Sequence, residues 1–561
     1  MGSIHYARWF RPPGTEKLIF QSNYDGSWES YLEDFVSKAS EGQTAAWSNA
    51  VGFPRSRWLM FDGAADAGGF KRWVRRQQVE TQVWYSRFPR LTADQIHTNA
   101  LVRDGLARAR SSSAARAWMS CFGSLARPLD ELQGAQIQTL LFGGLGKLEQ
   151  GLCLALRFTD PAGARQLLRA LTFADRDDDL AISFGEQPPR SAALTIAFSA
   201  QGLHKLGLPG PESSEGLGSF PASFVQGMAS RGRIVGDENQ ADWLWRDADE
   251  AGCDLVLLLY TRTPSQMKRL SARLRAKLKA AKLVECHAIA LKSLKAPGFK
   301  EPFGFRDGVS QPVVEGTLRA DRGGHFADDL VKPGEFILGY RDNRGYYPAS
   351  PTVLKESDPD HHLAMVSGAL PLKMPEFGAP DLPRRHDFGR NGSYLVLRQL
   401  EQDVAGFHAF TTAKAAELSA EGGQHQPVSG DWLAAKMVGR WQDGSSLVRN
   451  PDRPASQTER QAQAPEAGNR SDNDFRFGEI DPQGLRCPLG AHIRRANPRD
   501  SFKPGAQAQV EITRRHRILR RGRPYQDEDR QGLLFVCFNA DLARQFEFVQ
   551  QTWINADGFH G

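Results

Sequence analysis

The chain has 561 residues, of which 40% are hydrophobic and 24% are charged. This length exceeds one ordinary hydrophobic core, so we expect two to four domains, and the charged fraction is typical of globular proteins, which excludes global disorder. The net charge of +6 is small for such a length and gives no general case for nucleic-acid binding.

The start of the chain lacks the apolar core of a secretory signal. The longest apolar run, near Leu255–Tyr260, is far too short to span a bilayer, so no membrane partner is expected. The six cysteines form no CxxC pair, which excludes a zinc ribbon and a disulfide scaffold. A reducing, cytoplasmic location fits this cysteine usage best.

A short apolar run, then a turn and an amphipathic helix, recurs six times along the chain. The runs are KLIFQSN at 17–23, RWLMFDGA at 57–64, GLCLALRFTD at 151–160, DLVLLLYTRT at 254–263, SYLVLRQLEQ at 393–402 and GLLFVCFNAD at 532–541. The runs predict strands, and the apolar spacing of i, i+3 and i+4 after each run predicts a helix. Six βα units pair into three βαββαβ modules of the ferredoxin-like type.

The module boundaries are predicted at 1–116, 129–294 and 300–561. The first module continues with a predicted strand at Val79–Phe88, and the second with one at Leu283–Leu294. Only Ile554–Gly561 follow the last predicted helix. We therefore expect the third module either to lack its closing strand or to close differently.

Three segments of the third module contain residues suited to chemistry. Two glycines flank a carboxylate in Gly304-Phe305-Arg306-Asp307-Gly308, where Asp307 could be a positioned acid–base group or part of a plain Asp-Gly turn. In CPLGAHIRRANP, the neutral imidazole of His492 could be an axial ligand of iron or could pack inside a strand.

The third segment is arginine-rich, HRILRRGRPY at 516–525. Its arginines could form an anion or nucleic-acid patch, or they could lie on a solvated loop. A third interpretation places one arginine inside a pocket, where it faces a developing negative charge.

The three segments occur in this order, and the combination resembles the dye-decolorising peroxidase family of haem proteins. GFRDG is similar to the Gly-x-x-Asp-Gly motif of that family, CPLGAHIRRANPR to its proximal-histidine segment, and HRILRRGRPY to its distal-arginine segment. QGLLFVCFNADLARQFEFVQQTWIN is similar to the strand and helix that follow, and the resemblance covers roughly 134–559. It implies an α+β fold of repeated ferredoxin-like modules (dimeric α+β barrel type), with antiparallel sheets and haem in the C-terminal module.

The resemblance also implies roles for individual residues. His492 would be the proximal ligand of haem b, Asp307 the distal acid–base residue and Arg520 the distal arginine. The remaining residues expected to contact haem are Gly304, Phe305, Arg306, Gly308, Arg494, Arg495, Leu533 and Phe535. Leu533 and Phe535 would line the distal side, and Arg306, Arg494 or Arg495 could pair with the propionates.

A carboxylate on the second nitrogen of His492 would make that histidine a stronger donor, and Asp541 and Glu547 are both candidates for this role. Gln526 departs from the family pattern, which often has Gly after Pro-Tyr. The first module lies outside the peroxidase motifs and is interpreted as structural or oligomer-forming.

The implied activity is reduction of hydrogen peroxide coupled to oxidation of dyes, phenolics or other organic electron donors. The expected partners are hydrogen peroxide and such a donor, without nucleic acid, and a homo-oligomer is possible. Two alternatives stay open: a haem-handling protein resembling deferrochelatases, which would use the same ligands, and a non-catalytic ferredoxin-like scaffold.

Overall fold

The computed structural model describes the chain between residues 4 and 556, with internal gaps. The residues outside the description are 1–3, 25–27, 80–92, 94–95, 97–99, 101–102, 105–106, 108–131, 175–177, 188–190, 238–239, 241–242, 246–251, 293–299, 324, 346, 365–384, 421–427, 457, 460–472, 503–506, 528–529 and 557–561. The predicted strand at Val79–Phe88 and the predicted boundary near 116–129 lie almost entirely outside the described residues.

Up to residue 79, the described residues of the N-terminal part form two small antiparallel strand pairs and two helices. The strands are β1 (Ile4–Phe10), β2 (Ile19–Tyr24), β3 (Ser56–Arg57) and β4 (Phe61–Asp62), and the helices are Trp28–Trp47 and Ala67–Gln77. β1 pairs with β2, and β3 pairs with β4. The run at 57–64, predicted as one strand, is instead a tight hairpin, because Trp58 and Leu59 adopt positive φ angles that extended strands do not allow.

The next part is a βαββαβ unit, as the sequence predicted. Its elements are β5 (Gln150–Phe158), helix Pro161–Thr172, β6 (Ala192–Phe198), β7 (Leu255–Thr261), helix Pro264–Ala280 and β8 (Leu283–Lys292). All neighbouring strands are antiparallel, in the order β8-β5-β7-β6. Asp160 and Thr263 cap the two helices, and each helix begins at a proline whose missing N–H costs nothing there.

Short elements connect this unit to the last one. The strands are β9 (Val313–Val314), β10 (Leu330–Val331), β11 (Thr352–Leu354) and β12 (Arg385–Asp387). The short helices here and elsewhere are Thr139–Phe142, Ala200–Lys205, Ala222–Ser230, Gly232–Val235, Leu318–Asp321, Gly430–Val438, Phe477–Ile480, His492–Ala496 and Gln507–Arg514. The Asp307 loop precedes β9, so this irregular region supplies part of the site.

The last part repeats the strand–helix pattern. Its elements are β13 (Tyr394–Glu401), helix Val404–Ala420, β14 (Leu519–Arg520), β15 (Arg523–Asp527), β16 (Arg530–Asn539) and the π-helical segments Ala543–Glu547 and Val549–Ile554. β16 lies between β13 and β15, and β14 also pairs with β16. In the described part of the chain no strand pairs with the outer edge of β13, the position that β8 takes beside β5.

The two larger parts share one sheet, because β15 pairs with β8 at Tyr525 and Leu291. The strand order across it is β13-β16-β15-β8-β5-β7-β6. The sheet curls so that its edge strands β6 and β13 line one cavity of about 840 Å³. The expected α+β fold with antiparallel sheets is confirmed.

The core on one face of the sheet contains residues of both halves, such as Tyr260 and Val536. A second core packs the helices Pro161–Thr172 and Pro264–Ala280 onto the other face of β5–β7. Among the described helices, none combines the length and the apolar composition that crossing a bilayer requires.

Candidate active site

Hydrogen bonds from backbone N–H groups fix the loop that precedes Asp307. The carboxylate of Glu301 accepts hydrogen bonds from the backbone N–H groups of Phe303 and Phe305, at 3.0 and 2.9 Å. Phe305 is buried, and the backbone N–H of Arg306 donates to the carbonyl of Gln442 at 3.0 Å. The predicted Asp-Gly turn therefore follows a hydrogen-bonded loop, and this loop fixes the position of the Asp307 carboxylate.

Gly308 adopts a left-handed backbone conformation, which glycine allows more readily than other residues do. Its φ angle is +76°, a value that side chains with a Cβ rarely adopt. In this conformation its backbone N–H donates to Oδ1 of Asp307 at 2.6 Å. The carboxylate is thus oriented by the residue next to it.

Arg520, on the short strand β14, reaches the same carboxylate. Its Nη1 donates to Oδ1 of Asp307 at 3.0 Å, and both side chains are about one-third exposed. Its backbone N–H donates to Oε1 of Gln311 at 3.1 Å, and its Nη2 donates to the carbonyl of Ser310 at 3.4 Å. The structure brings together the two residues that the sequence predicted as a distal pair, and it adds Gln311 and Ser310, which sequence reasoning missed.

The charge state of Asp307 follows from three opposing effects. Burial favours the neutral acid, but the Arg520 cation and the Gly308 N–H stabilise the carboxylate more strongly. The pKa of Asp307 is therefore below its ordinary value of 3.8. At neutral pH the residue is an ionised base with a cation beside it.

His492 begins a single helical turn, His492–Ala496. Many protein atoms surround its ring, yet the residue stays accessible to solvent, and no described residue hydrogen-bonds to it. Burial lowers the pKa of His492, and the nearby Arg520 lowers it further against the opposing effect of Asp307. The imidazole is therefore neutral at pH 7 with an available lone pair, the form that coordinates iron.

The strand β16 supplies an apolar wall beside Arg520. Arg520 lies directly opposite Cys537 in the antiparallel pairing. Because side chains alternate between faces along a strand, Phe535 and Leu533 lie on the same face as Cys537. Both are only partly buried, as expected of side chains that border a cleft.

Arg494 does not fit the predicted role at the haem propionates. It is fully buried, and its guanidinium donates to the carboxylate and the carbonyl of Asp481 and to the carbonyl of Cys487, at 2.8–3.2 Å. The propionate prediction for Arg494 is therefore corrected: this arginine holds the loop before His492 in place.

Arg495 is committed to a different neighbour. Its Nε donates to the carbonyl of Trp553 at 2.7 Å, and its Nη2 donates to the carbonyl of Ala556. It therefore ties the His492 turn to the C-terminal π-helical segment. Of the three arginines considered for the propionates, only Arg306 lies on the same loop as Asp307.

The two carboxylates proposed as partners of His492 lie elsewhere. Glu547 forms a two-point ion pair with Arg231, at 2.5 and 2.6 Å. Oδ1 of Asp541 accepts the backbone N–H of Arg544 at 3.0 Å, and its carboxylate lies 3.7 Å from the Arg544 guanidinium. No described contact joins either carboxylate to His492.

The other three arginines of the 516–525 segment form neither an anion patch nor a solvated loop. Arg517 donates to the carboxylate of Asp329 at 2.8 Å. Arg521 donates to the carbonyls of Leu140 and Leu141, and Arg523 donates to carbonyls between 144 and 148. Both guanidiniums are buried, and burial lowers the pKa of Arg521 to about 9. They hold the third part of the chain against the second.

These residues fit a haem group. A neutral histidine without a hydrogen-bond partner among the described residues, within electrostatic reach of an Asp–Arg pair, is a donor set suited to axially ligated iron. Elsewhere in the described part of the chain no cluster of three or more His, Cys, Asp or Glu side chains could hold a metal ion.

Comparison with known proteins finds relatives of one kind. Residues 442–560, which include His492 and Arg520, match the family model described as Dyp-type peroxidase, C-terminal. A dye-decolorizing peroxidase from Mycena epipterygia is 29% identical over 396 residues, 65% of this chain and 62% of that protein. A multifunctional dye peroxidase from Amycolatopsis sp. is 28% identical over 469 residues, 80% of this chain and 85% of that protein. The chain thus aligns with less than two thirds of the Mycena relative's length.

Solved structures show the same fold. An ancestral D-type dye decolorizing peroxidase matches with a TM-score of 0.56 and 24% identity, covering 76% of this chain and 85% of that one. A decolorizing peroxidase from Auricularia auricula-judae matches with a TM-score of 0.54 and 23% identity, covering 75% and 84%.

The fold and the site together define an α+β protein of ferredoxin-like modules whose C-terminal module has a donor set suited to haem. Within that class, the chain is related to the dye-decolorising peroxidases.

Proposed function

We propose that this chain is a haem-dependent peroxidase that reduces hydrogen peroxide and oxidises dyes, phenolics or other organic donors. One observation supports this most strongly: the ionised Asp307 is bonded to Arg520 at 3.0 Å, and both are close enough to His492 to shift its pKa. An acid–base group, a fixed cation and a neutral ligand are the three parts that the reaction needs.

Haem b, held through His492, would supply the redox chemistry. Leu533 and Phe535 would line its distal side. Arg306 is the remaining candidate of the three for a propionate contact, since Arg494 and Arg495 are committed to other groups.

Asp307 would move the peroxide proton. The hydrogen bonds from Gly308 and Arg520 both fall on Oδ1, which leaves Oδ2 to accept the proton from one peroxide oxygen and to return it to the other. Because its pKa is held low, Asp307 is ready as a base over the neutral range.

Arg520 would stabilise the negative charge that develops on the leaving oxygen. Its guanidinium is permanently charged, and its backbone is fixed by Gln311 before the reaction begins. A preorganised cation of this kind needs no rearrangement while the charge develops, so it stabilises the transition state more than the ground state.

Steady-state dye oxidation with hemin-loaded protein tests this function. We expect Asp307→Asn to lower kcat/KM for hydrogen peroxide by about 10²- to 10⁴-fold, because proton transfer is lost, while haem stays bound. Asp360→Asn, at an exposed carboxylate in another loop, should leave the rate unchanged. Equal turnover by Asp307→Asn and the wild type would contradict the assignment.

A haem-handling role is the second candidate. A deferrochelatase from Yersinia pestis is 42% identical over 77 residues, although these are only 13% of this chain and 15% of that protein. Incubation with hemin separates the two: free protoporphyrin without dye oxidation would favour haem handling. Folded protein that does neither would favour the scaffold interpretation.

The domain and assembly assignments are part of this proposal. The N-terminal module, 1–116, would be structural or would form a homo-oligomer, module 129–294 would support the site, and module 300–561 would bind haem. A cytoplasmic location is proposed from the cysteine usage alone.

A further inference from the structure

The hairpin β3–β4 in the N-terminal part carries an apolar tip. Its three loop residues Trp58, Leu59 and Met60 are 83%, 53% and 46% exposed. Among the other residues that the structure describes, strongly exposed apolar side chains such as Phe173 and Leu485 have no exposed large apolar residue next to them in sequence. Three consecutive large apolar residues at a convex tip need an explanation that scattered surface residues do not.

The backbone holds this tip in an unfavourable conformation. Trp58 and Leu59 have φ angles of 52° and 58°, in the left-handed region that bulky residues rarely adopt. Two hydrogen bonds close the hairpin, from Met60 N–H to the Arg57 carbonyl at 3.2 Å and from Gly63 N–H to the Arg55 carbonyl at 3.1 Å. A strained conformation that projects apolar side chains outward is typical of a binding loop.

Basic residues accompany the tip. Residues 51–79 contain six Lys or Arg and two Asp, a net charge of +4, whereas the whole chain carries only +6. Arg55 and Arg57 on the hairpin are both exposed, and Arg57 lies 3.6 Å from the exposed Asp62. The tip is therefore an apolar point with two exposed arginines beside it, on a segment whose net charge is positive.

We propose that the Trp58–Met60 tip docks on an anionic lipid membrane surface. The tryptophan, leucine and methionine side chains would enter the interfacial layer, where tryptophan is favoured, and the nearby arginines would contact lipid headgroups. A second copy of this segment is disfavoured, because two patches of the same positive charge repel. Such peripheral docking departs from the expectation of no membrane partner, which rested only on the absence of a spanning segment.

Vesicle co-sedimentation tests this proposal on the full chain. We expect the protein to bind phosphatidylcholine vesicles that contain phosphatidylglycerol, and to bind pure phosphatidylcholine vesicles much less. Added salt should weaken the binding. Trp58→Ser with Leu59→Ser should lower the bound-to-free ratio about tenfold or more, because two apolar insertions are lost.

Phe173→Ser is the matched control, since it removes an equally exposed aromatic residue outside the tip. It should leave vesicle binding unchanged, and circular dichroism should show that all variants are folded. Failure of the wild type to bind anionic vesicles would overturn the proposal, as would full binding by the double variant. If the double variant instead changes the oligomeric state without any vesicle binding, the tip is a protein interface and the proposal is wrong.

Discussion

At the scale of single residues, the site depends on how Asp307 and Arg520 modify each other. Burial alone would raise the pKa of Asp307, and the guanidinium at 3.0 Å reverses that direction. Burial lowers the pKa of His492, and the same cation lowers it further, so Arg520 favours both an ionised Asp307 and a neutral His492. The protonation states of Asp307 and His492 therefore both respond to Arg520, which acts together with the Gly308 N–H at Asp307 and with burial at His492.

This dependence predicts a shift in the pH profile of peroxide reduction. Asp307 must be ionised, so activity is lost as the pH falls through its pKa, which in the wild type lies below 3.8. Arg520→Leu leaves burial unopposed by that cation, so the acid limb of kcat/KM for peroxide should move up by at least about one pH unit.

Arg520→Lys is the control for this experiment. It retains the charge, so its acid limb should stay closer to that of the wild type than the limb of Arg520→Leu does. Superimposable acid limbs for the wild type and Arg520→Leu would show that Asp307 is not the titrating base.

The sequence singled out these three residues because each lies in a short motif that resembles one of the dye-decolorising peroxidase family, and their roles stay predictions. It could not predict Gln311, because the bond from the Arg520 backbone to Gln311 joins positions 209 residues apart. It was wrong about Arg494, since neighbouring arginines in a motif look alike until burial and partners are known.

At the scale of elements, Arg494 connects the helical turn that begins at His492 to the loop that precedes it. The Arg494 side chain is fully buried and spans Asp481 and the Cys487 carbonyl, so it connects both ends of the loop before the turn. Its ring neighbour Phe477 lies 4.8 Å from the guanidinium carbon. The backbone N–H groups of Arg486 and Cys487 also donate to the Asp481 carboxylate, so Arg494 and Asp481 together form a buried hydrogen-bonded centre of this loop.

Arg494→Met should therefore destabilise the protein. The substitution leaves Asp481 without its buried cation, so we expect the free energy of unfolding to fall by about 3 kcal/mol or more. Urea denaturation followed by fluorescence measures the change.

Arg275→Met provides the comparison, because Arg275 of the helix Pro264–Ala280 makes a two-point ion pair with Glu285 of β8, and both side chains are partly exposed. Exposed ion pairs contribute little to stability, so Arg275→Met should lower the free energy of unfolding by less than about 1 kcal/mol. A loss at Arg494 no larger than the loss at Arg275 would mean that the buried pair does not support the loop.

The sequence predicted regular elements well where the apolar pattern was long. The runs at 151–160 and 254–263 became β5 and β7, each followed by the predicted helix with a capping residue and a first-turn proline. It failed at 57–64, because a short apolar run has the same pattern whether it is a strand or an exposed turn.

At the scale of the whole molecule, the two C-terminal modules are one unit. The sheet continues from β8 to β15, and the common core contains residues from both sides of that junction. Arg521 and Arg523 strengthen it by donating to carbonyls between 140 and 148, far away in sequence. Periodicity predicted the modules but not their junction, because such long-range contacts leave no local pattern.

The central claim is that His492, Asp307 and Arg520 form one haem pocket on this scaffold. Hemin titration followed by the Soret band tests it most directly, with the wild type, His492→Ala and Asp307→Asn. We expect the wild type to bind one hemin tightly, Asp307→Asn to retain it, and His492→Ala to bind weakly with an altered Soret band. Folded wild-type protein that takes up no hemin, or a His492→Ala spectrum identical to that of the wild type, would contradict the claim.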